Sequence, residues 1–219
     1  MTIRENLTTI KASLPEQVTL VAVSKTKPVA DLMEAYEAGQ RIFGENKIQE
    51  MTEKWEQMPK DIQWHMIGHV QSNKVKYMAP YVSLVHGVDS LKLLQEINKQ
   101  AQKTDRVINC LLQIYIAEEE SKFGLDENEL EAILKSDAFK ELNHICIKGL
   151  MGMATFTDSN DQIKKEFSRL KAIFDKYKDN KSQNTDFSVL SMGMSGDYKT
   201  AIDCGSTMVR IGSSIFGVR

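Results

Sequence analysis

The chain has 219 residues, of which 42% are hydrophobic and 26% are charged, a composition typical of a globular protein with one sizeable core. Its 28 basic and 30 acidic residues give a net charge of -2, so no overall field favours nucleic acid or an anionic membrane as a partner. The sequence has no run of about 18 apolar residues and no apolar core of signal-peptide length at its start, which predicts a soluble, cytoplasmic protein.

Short apolar segments alternate with amphipathic ones along the chain. An amphipathic helix is predicted first, over 4–14. Eight later segments have the β-branched or alternating pattern of strands: 19–25, 41–45, 62–68, 83–89, 107–116, 145–153, 187–194 and 207–217. The segments between them have helical spacing and end signals, such as Pro28 and Gly39 around the second helix and Asp89 or Ser90 before another.

Strict alternation of strand and helix predicts a parallel sheet covered by helices, either an open doubly wound sheet or a closed barrel. Eight units over 219 residues take about 27 residues each, which matches a barrel of roughly 200 to 250 residues. An open sheet usually has fewer strands. We therefore expect one α/β domain over 1–219, a (β/α)₈ TIM barrel with an extra N-terminal helix.

In such a barrel, functional side chains lie at the C-terminal ends of the strands. The first strand segment ends in Lys25, where a buried ammonium must be paired, neutralised or used. One interpretation is a structural ion pair with Glu45 on the neighbouring strand. The other is a nucleophilic amine, made neutral by desolvation and by a nearby cation such as Arg210, that attacks an aldehyde. Lys27 is interpreted as a solvated loop residue.

The last strand segment, "GSTMVRIGSSIFG", places an arginine in an apolar strand with Gly212, Ser213 and Ser214 directly after it. Backbone N–H groups and hydroxyls there suit a phosphate, while Arg210 suits an acceptor on a ring. The preceding strand ends in "GMS" (193–195), a further candidate phosphate contact at the position where barrels commonly bind phosphate. Together these features indicate a phosphorylated heterocycle.

Competing motifs do not fit. No G-x-G-x-x-G opens a helix after a strand, and 193–200 lacks the contiguous G-K-[ST] of a nucleotide P-loop. His65 and His69 are four residues apart but lie in a strand and a turn, so they do not share a helix face and no metal site is expected. His86 and His144 are interpreted as satisfied core or edge residues.

Six segments, in chain order, closely resemble the YggS/PROSC family of pyridoxal 5'-phosphate homeostasis proteins: "AVSKTKP", "GQRIFGEN", "WHMIGHVQSNK", "KGLMGMA", "LSMGMSGD" and "GSTMVRIGSSIFG". The resemblance covers almost the whole chain. It implies the barrel of the alanine racemase N-terminal domain, with pyridoxal 5'-phosphate (PLP) bound as a Schiff base to the lysine of "SK". The matching residue here is Lys25.

The resemblance implies the other cofactor contacts as well. Arg210 would face the pyridine nitrogen of PLP. Ser195, Gly212 and Ser213 would hold the phosphate, and Asn46 and His65 would line the ring pocket. Met194, and Ser191 with an open role, are matched by their position beside "GMS" only. No catalytic residue is implied.

A guanidinium beside the ring nitrogen is a poor proton donor, which makes the cofactor a weak electron sink. A racemase also needs a second acid or base, which an extra β domain supplies in the resembling racemases, and we expect no such domain after Arg219. We predict a monomeric, non-catalytic carrier that stores, buffers or delivers PLP to apo PLP-dependent enzymes, with indirect effects on amino-acid and keto-acid balance. The alternatives are a weak PLP-dependent amino-acid racemase and a phosphosugar-type barrel enzyme without cofactor.

Overall fold

A computed structural model describes residues 2–119 and 122–217. Its centre is a sheet of nine strands: β1 (Thr19–Val23), β2 (Ile42–Glu45), β3 (Gln63–Met66), β4 (Val82–Val88), β5 (Ile108–Gln113), β6 (Ile145–Met151), β7 (Lys181–Ser182), β8 (Thr185–Ser191) and β9 (Met208–Ile211). Neighbours from β1 to β6 pair in parallel, and β6–β8, β8–β9 and β9–β1 pairs close the ring. This closed barrel of eight parallel strands confirms the predicted fold.

The described residues form ten α-helices, which follow or flank the strands: α1 (Ile3–Ser13), α2 (Val29–Glu37), α3 (Ile48–Gln57), α4 (Val75–Met78), α5 (Leu91–Lys103), α6 (Glu127–Lys135), α7 (Asp137–Lys140), α8 (Asn160–Tyr177), α9 (Tyr198–Asp203) and α10 (Ser213–Phe216). The predicted N-terminal helix is α1, which begins with a capping box between Thr2 and Glu5. Ser90 caps α5, as one of the two predicted candidates. Within the described residues, no helix is long and apolar enough to cross a membrane.

Side chains alternate between the barrel interior and the helix layer, because successive residues of a strand point to opposite faces. A small cluster from five strands packs inside the barrel: Val21, Leu84, Leu111, Met151 and Met208. A larger core lies between the strands and the helices. Several inward positions nearer the strand ends are polar, among them His86, Ser191 and Arg210, so the alternation that fills the barrel also directs polar groups toward its C-terminal mouth.

Two segments differ from the sequence prediction. The helical spacing of the sequence continues over 126–142, but the structure divides this segment into α6 and α7, because Ser136 adopts extended backbone and its hydroxyl caps α7. The seventh predicted strand begins two residues earlier, at Thr185, and ends at Ser191. The short antiparallel strand β7, which precedes it, was not predicted.

Candidate functional site

The residues proposed from the sequence all lie at or beyond the C-terminal ends of barrel strands. They are Lys25 after β1, Asn46 after β2, His65 in β3, Met194 and Ser195 after β8, Arg210 in β9, and Gly212 and Ser213 after β9. Barrel closure pairs β9 with β1, with Val21 opposite Arg210. The first and last strands of the chain are therefore neighbours at the mouth.

Arg210 is a buried cation, with 4% of its surface exposed. Its Nη1 donates to the carbonyl (3.0 Å) and hydroxyl (2.6 Å) oxygens of Ser191, and its Nη2 donates to the carbonyl oxygen of Gly152 (3.2 Å). Burial lowers the pKa of Arg210 to about 10, while the charge of Asp197 acts in the opposite direction. The guanidinium therefore stays charged at neutral pH, and the three bonds go to neutral oxygens.

The turn after β8 and the turn after β9 are joined by hydrogen bonds. Gly212 N–H donates to Ser195 Oγ (3.2 Å), and Arg210 N–H donates to the carbonyl oxygen of Gly193 (3.0 Å). Gly193 has φ +96, and a Cβ there would lie 2.6 Å from the Cβ of Ala201, so the turn requires glycine. The predicted phosphate residues are thus brought together.

Gly212 also lies close to the end of β1. A Cβ at this position would be 3.0 Å from the carbonyl oxygen of Val23, two residues before Lys25. Ser213, which is exposed, begins α10 directly after this close approach. The candidate lysine and the candidate phosphate turn therefore belong to adjoining strand ends.

The sequence left open an ion pair between Lys25 and Glu45, and that interpretation is wrong. Glu45 faces α3, where its Oε1 accepts from Ser24 Oγ (2.6 Å) and Lys54 Nζ (2.7 Å), and its buried Oε2 has no partner. Burial raises the pKa of Glu45, and Lys54 opposes that rise in part. Because the side chain of Glu45 points to the outer face of β2, it cannot pair with a group inside the barrel.

The backbone on both sides of Lys25 is held by α3. Lys54 Nζ donates to the carbonyl oxygen of Ser24 (2.8 Å) and to Glu50 Oε1 (2.7 Å), and Glu50 Oε1 accepts from Thr26 N–H (2.5 Å). Thr26 has φ 65, a left-handed conformation that is unfavourable for a β-branched residue. These bonds hold the strained turn and so set the direction in which Lys25 leaves the strand.

Lys27 is half-buried, which corrects its interpretation as a solvated loop residue. Its Nζ donates to the carbonyl oxygen of Phe216 (2.9 Å), the last residue of α10. A cation at a helix C-terminus satisfies a carbonyl that has no partner within the helix. Lys27 therefore ties the turn of Lys25 to the helix that follows β9.

Asn46 and Met194 lie at the edge of the site. Asn46 is exposed, and the loop after β3 lies against its backbone, since a Cβ on Gly68 would be 2.4 Å from the Asn46 carbonyl oxygen. Met194 is half-buried, and its N–H donates to Asp197 Oδ1 (2.5 Å). Both positions border the barrel mouth, and neither takes part in the hydrogen bonds that link buried side chains across the barrel interior.

A buried polar chain runs across the inside of the barrel from β3 to β9. His65 Nδ1 lies 3.1 Å from His86 Nε2, and His86 Nδ1 lies 3.1 Å from Ser191 Oγ, which is bonded to Arg210. We call these four residues the inner-wall relay. Burial lowers the pKa of His65 to about 3 and the pKa of His86 well below its ordinary value, with His65 and Arg210 adding to the effect on His86. Both imidazoles are therefore neutral at physiological pH.

The sequence prediction assigned no site contact to His86 and left the role of Ser191 open. The alternation of side chains along a strand identifies both residues as inward-facing. Leu84 packs inside the barrel, so His86, two residues later in the same strand, points inward as well. Val189 packs against the same inner cluster, so Ser191, two residues later in β8, points into the barrel for the same reason. Which inward polar groups meet across the barrel depends on register between strands, which a strand's own sequence does not contain.

The low pKa values of the two buried histidines predict a loss of stability in acid. The unfolded chain takes up protons on these side chains below pH about 6.5, whereas the folded chain does not, so stability present above that pH falls as pH falls. Between about pH 7 and pH 5, His65 should cost roughly 2 kcal/mol of unfolding free energy, because its folded-state pKa of about 3 lies below this range. Urea unfolding should show His65→Gln losing roughly 2 kcal/mol less than the parent over this range. His69→Gln, at an exposed histidine, should lose as much as the parent, and equal losses in all three proteins would contradict the assignment.

Comparison with known proteins identifies the family of the chain. The family model described as "Alanine racemase, N-terminal domain" matches residues 1–219. A curated relative from Pasteurella multocida, named "Pyridoxal phosphate homeostasis protein", is 39% identical over 232 residues, which cover 100% of this chain and 98% of the relative. The chain belongs to the pyridoxal phosphate homeostasis protein family. The predicted resemblance is confirmed.

Solved structures of relatives have the same fold. PipY of Synechococcus elongatus, in a structure with PLP bound, superimposes with a TM-score of 0.89 at 33% identity, covering 99% of this chain and 100% of PipY. An alanine racemase from Clostridium difficile gives a TM-score of 0.80 at 16% identity and is covered over 60% of its length. At that identity the racemase establishes the shared barrel only.

Proposed function

We propose that this protein binds PLP covalently through Lys25 and takes part in intracellular PLP homeostasis by storing, buffering or delivering the cofactor. The name of its curated relatives and the PLP-bound structure of PipY support the proposal. The observation that carries it is Arg210, a buried cation whose described bonds go to neutral oxygens, next to a serine–glycine turn and one strand from Lys25.

The polar side chains of the site match three groups of PLP: its ring nitrogen, its phosphate and its aldehyde. Arg210 suits the ring nitrogen, since a guanidinium has five N–H donors and three of its bonds are used within the protein. Ser195, Gly212 and Ser213 supply hydroxyl and backbone groups on the small turns that suit a phosphate. Lys25 supplies the amine.

When bound, the cofactor supplies an aldehyde that condenses with a primary amine, releasing water, and a ring that withdraws electrons from the carbon attached to it. Arg210 retains its proton, because its pKa of about 10 is still far above that of a pyridine ring. It therefore donates a hydrogen bond to the ring nitrogen without protonating it. This favours binding over carbanion chemistry, and a carrier over an efficient enzyme.

Borohydride reduction of the PLP-loaded protein tests the covalent link. Peptide mass mapping should place the reduced adduct on Lys25, and Lys25→Ala should lose both the adduct and the visible absorbance. Lys27→Ala is the matched control and should keep the adduct on Lys25, because its ammonium is committed to Phe216. An adduct elsewhere would contradict the assignment of Lys25, and no adduct or absorbance at all would favour a cofactor-free phosphosugar-type enzyme.

The same loaded protein separates a carrier from a weak racemase. We expect it to leave L-alanine and other amino acids unracemised and to restore activity to an apo PLP-dependent enzyme mixed with it. Turnover proportional to the number of loaded sites, and absent in Lys25→Ala, would establish the racemase instead. The shared barrel of the Clostridium difficile racemase makes this control necessary.

A further inference from the structure

The inner-wall relay has a definite direction of hydrogen bonding that follows from counting donors. Arg210 Nη1 is a donor and has no acceptor capacity, so Ser191 Oγ accepts from it at 2.6 Å. The other partner of Ser191 Oγ in the described chain is His86 Nδ1, at 3.1 Å. Ser191 has one hydroxyl proton, and donating it to His86 satisfies both atoms. If Ser191 accepted from both neighbours, its buried proton would lack an acceptor, which is unfavourable.

The direction continues to His65. Neutral His86 that accepts at Nδ1 carries its proton on Nε2, and that proton is donated to His65 Nδ1 at 3.1 Å. Neutral His65 must then carry its own proton on Nε2. The lowered pKa values of both imidazoles exclude a charged ring that would donate from both nitrogens.

Nε2 of His65 lies at the open end of the relay. In the described chain, the enclosed side-chain nitrogen and oxygen atoms without a partner are Glu45 Oε2, Trp64 Nε1 and Tyr177 Oη. His65 Nε2 is not among these enclosed atoms and has no hydrogen bond to a described residue. Its N–H therefore faces accessible space, although the imidazole as a whole is only 3% exposed.

We propose that Ser191 and His86 are positioning residues that hold His65 as its Nε2–H tautomer, so that the ring pocket presents a fixed neutral N–H donor besides the charged donor of Arg210. The tautomer follows from this chain alone, whereas its use toward a ligand rests on the proposed function. A neutral donor and a guanidinium that both face one pocket, as this proposal requires, would select a heterocycle with a ring-nitrogen acceptor and an anionic or hydroxyl oxygen on the same ring. A hydroxylated pyridine has both acceptors.

Nitrogen-15 NMR of the cofactor-free protein, labelled at histidine, tests the tautomers directly, because the chain has only 4 histidines. His65 and His86 should both show the Nε2–H pattern. Ser191→Ala should shift both rings toward mixed tautomers, while Ser188→Ala, at an exposed serine of the same strand, should change neither. An Nδ1–H pattern for His65 in the parent protein, or an unchanged spectrum in Ser191→Ala, would overturn the relay.

Substitutions at His86 separate positioning from packing. His86→Gln keeps an N–H donor that can reach His65 Nδ1, so His65 should retain its Nε2–H pattern. His86→Leu removes that donor, and His65 should lose its single tautomer even if the protein folds normally. If both variants affect the His65 resonances equally, His86 has a packing role only.

A ligand probe that forms no covalent bond tests the use of the donor. We choose 4-deoxypyridoxine 5'-phosphate, which has the ring, hydroxyl and phosphate of the cofactor but no aldehyde. Its binding should shift the Nε2 resonance of His65, and His86→Leu should weaken binding about five- to tenfold, the effect of one hydrogen bond. Binding without a shift at His65 would overturn the donor role alone. A probe that does not bind would contradict the proposed function and leave the tautomers measured in the free protein unaffected.

Discussion

Lys54→Met should lower the free energy of unfolding by about 3–5 kcal/mol, because it leaves the carboxylate of Glu45 buried without a counter-charge. The two groups are 2.7 Å apart, and their side chains are 7% and 0% exposed. The same ammonium also bonds to Ser24 and Glu50, so the turn on both sides of Lys25 loses its support. Chemical denaturation at neutral pH measures the effect.

Two controls separate the buried charge from the general effect of replacing a lysine. Lys140→Met breaks a 2.8 Å pair with Asp137 whose side chains are 62% and 93% exposed, and it should leave stability unchanged. Adding Glu45→Leu to Lys54→Met removes the unpaired acid and should recover most of the loss. If the double variant is as unstable as the single one, the cause is not the buried carboxylate.

The loss in Lys54→Met should depend on pH in a defined direction. Burial already raises the pKa of Glu45, and without Lys54 the hydrogen bond from Ser24 is the remaining contact that opposes that rise. A group whose folded-state pKa is raised contributes most at low pH, and its contribution falls as pH rises through that pKa. The difference between parent and variant should therefore shrink from about pH 8 to about pH 5. A difference that grows on acidification would contradict the direction assigned to Glu45.

Arg210→Met should weaken the binding of PLP about ten- to a hundredfold, because a hydrogen bond from a charged donor typically contributes about 1.5–3 kcal/mol. The variant removes the donors that reach Ser191 and Gly152 as well as the one proposed for the ring. Arg210→Lys keeps the charge but loses the planar fork, so its affinity should be intermediate. Titration of the cofactor-free protein by absorbance gives both affinities, and the spectrum of bound PLP should change with the partner of its ring nitrogen.

The control for Arg210 is a cation of similar size outside the site. Arg41→Met removes a guanidinium that pairs with Asp61 on the surface, where its side chain is 41% exposed, and it should leave PLP affinity unchanged. Borohydride mapping of Arg210→Met should still find any bound cofactor on Lys25, because that lysine follows β1 and does not belong to β9. Parent-like affinity and spectrum in Arg210→Met would remove Arg210 from the ring pocket.

The sequence by itself determined the architecture and the candidate lysine. The apolar runs of the strands, such as β1, and the 3.6-residue spacing of the helices are local properties, so their alternation predicted the barrel. Lys25 was found because few arrangements can accommodate a charge three residues after the buried run Leu20–Ala22 at a low cost in free energy. The break between α6 and α7 was missed, because Ser136 is compatible with either a helix or a cap until its backbone conformation is known.

Only the tertiary structure decided which polar groups meet. Glu45 and Lys25 lie on neighbouring strands, yet alternation turns the carboxylate outward to Lys54 on α3, which no local pattern specifies. His86 and Ser191 are 105 residues apart and bond only because the closing strand pairs set the register around the ring. Contacts of this kind depend on the relative shift of strands, and a single strand's sequence determines which side a residue faces but not which residue it faces.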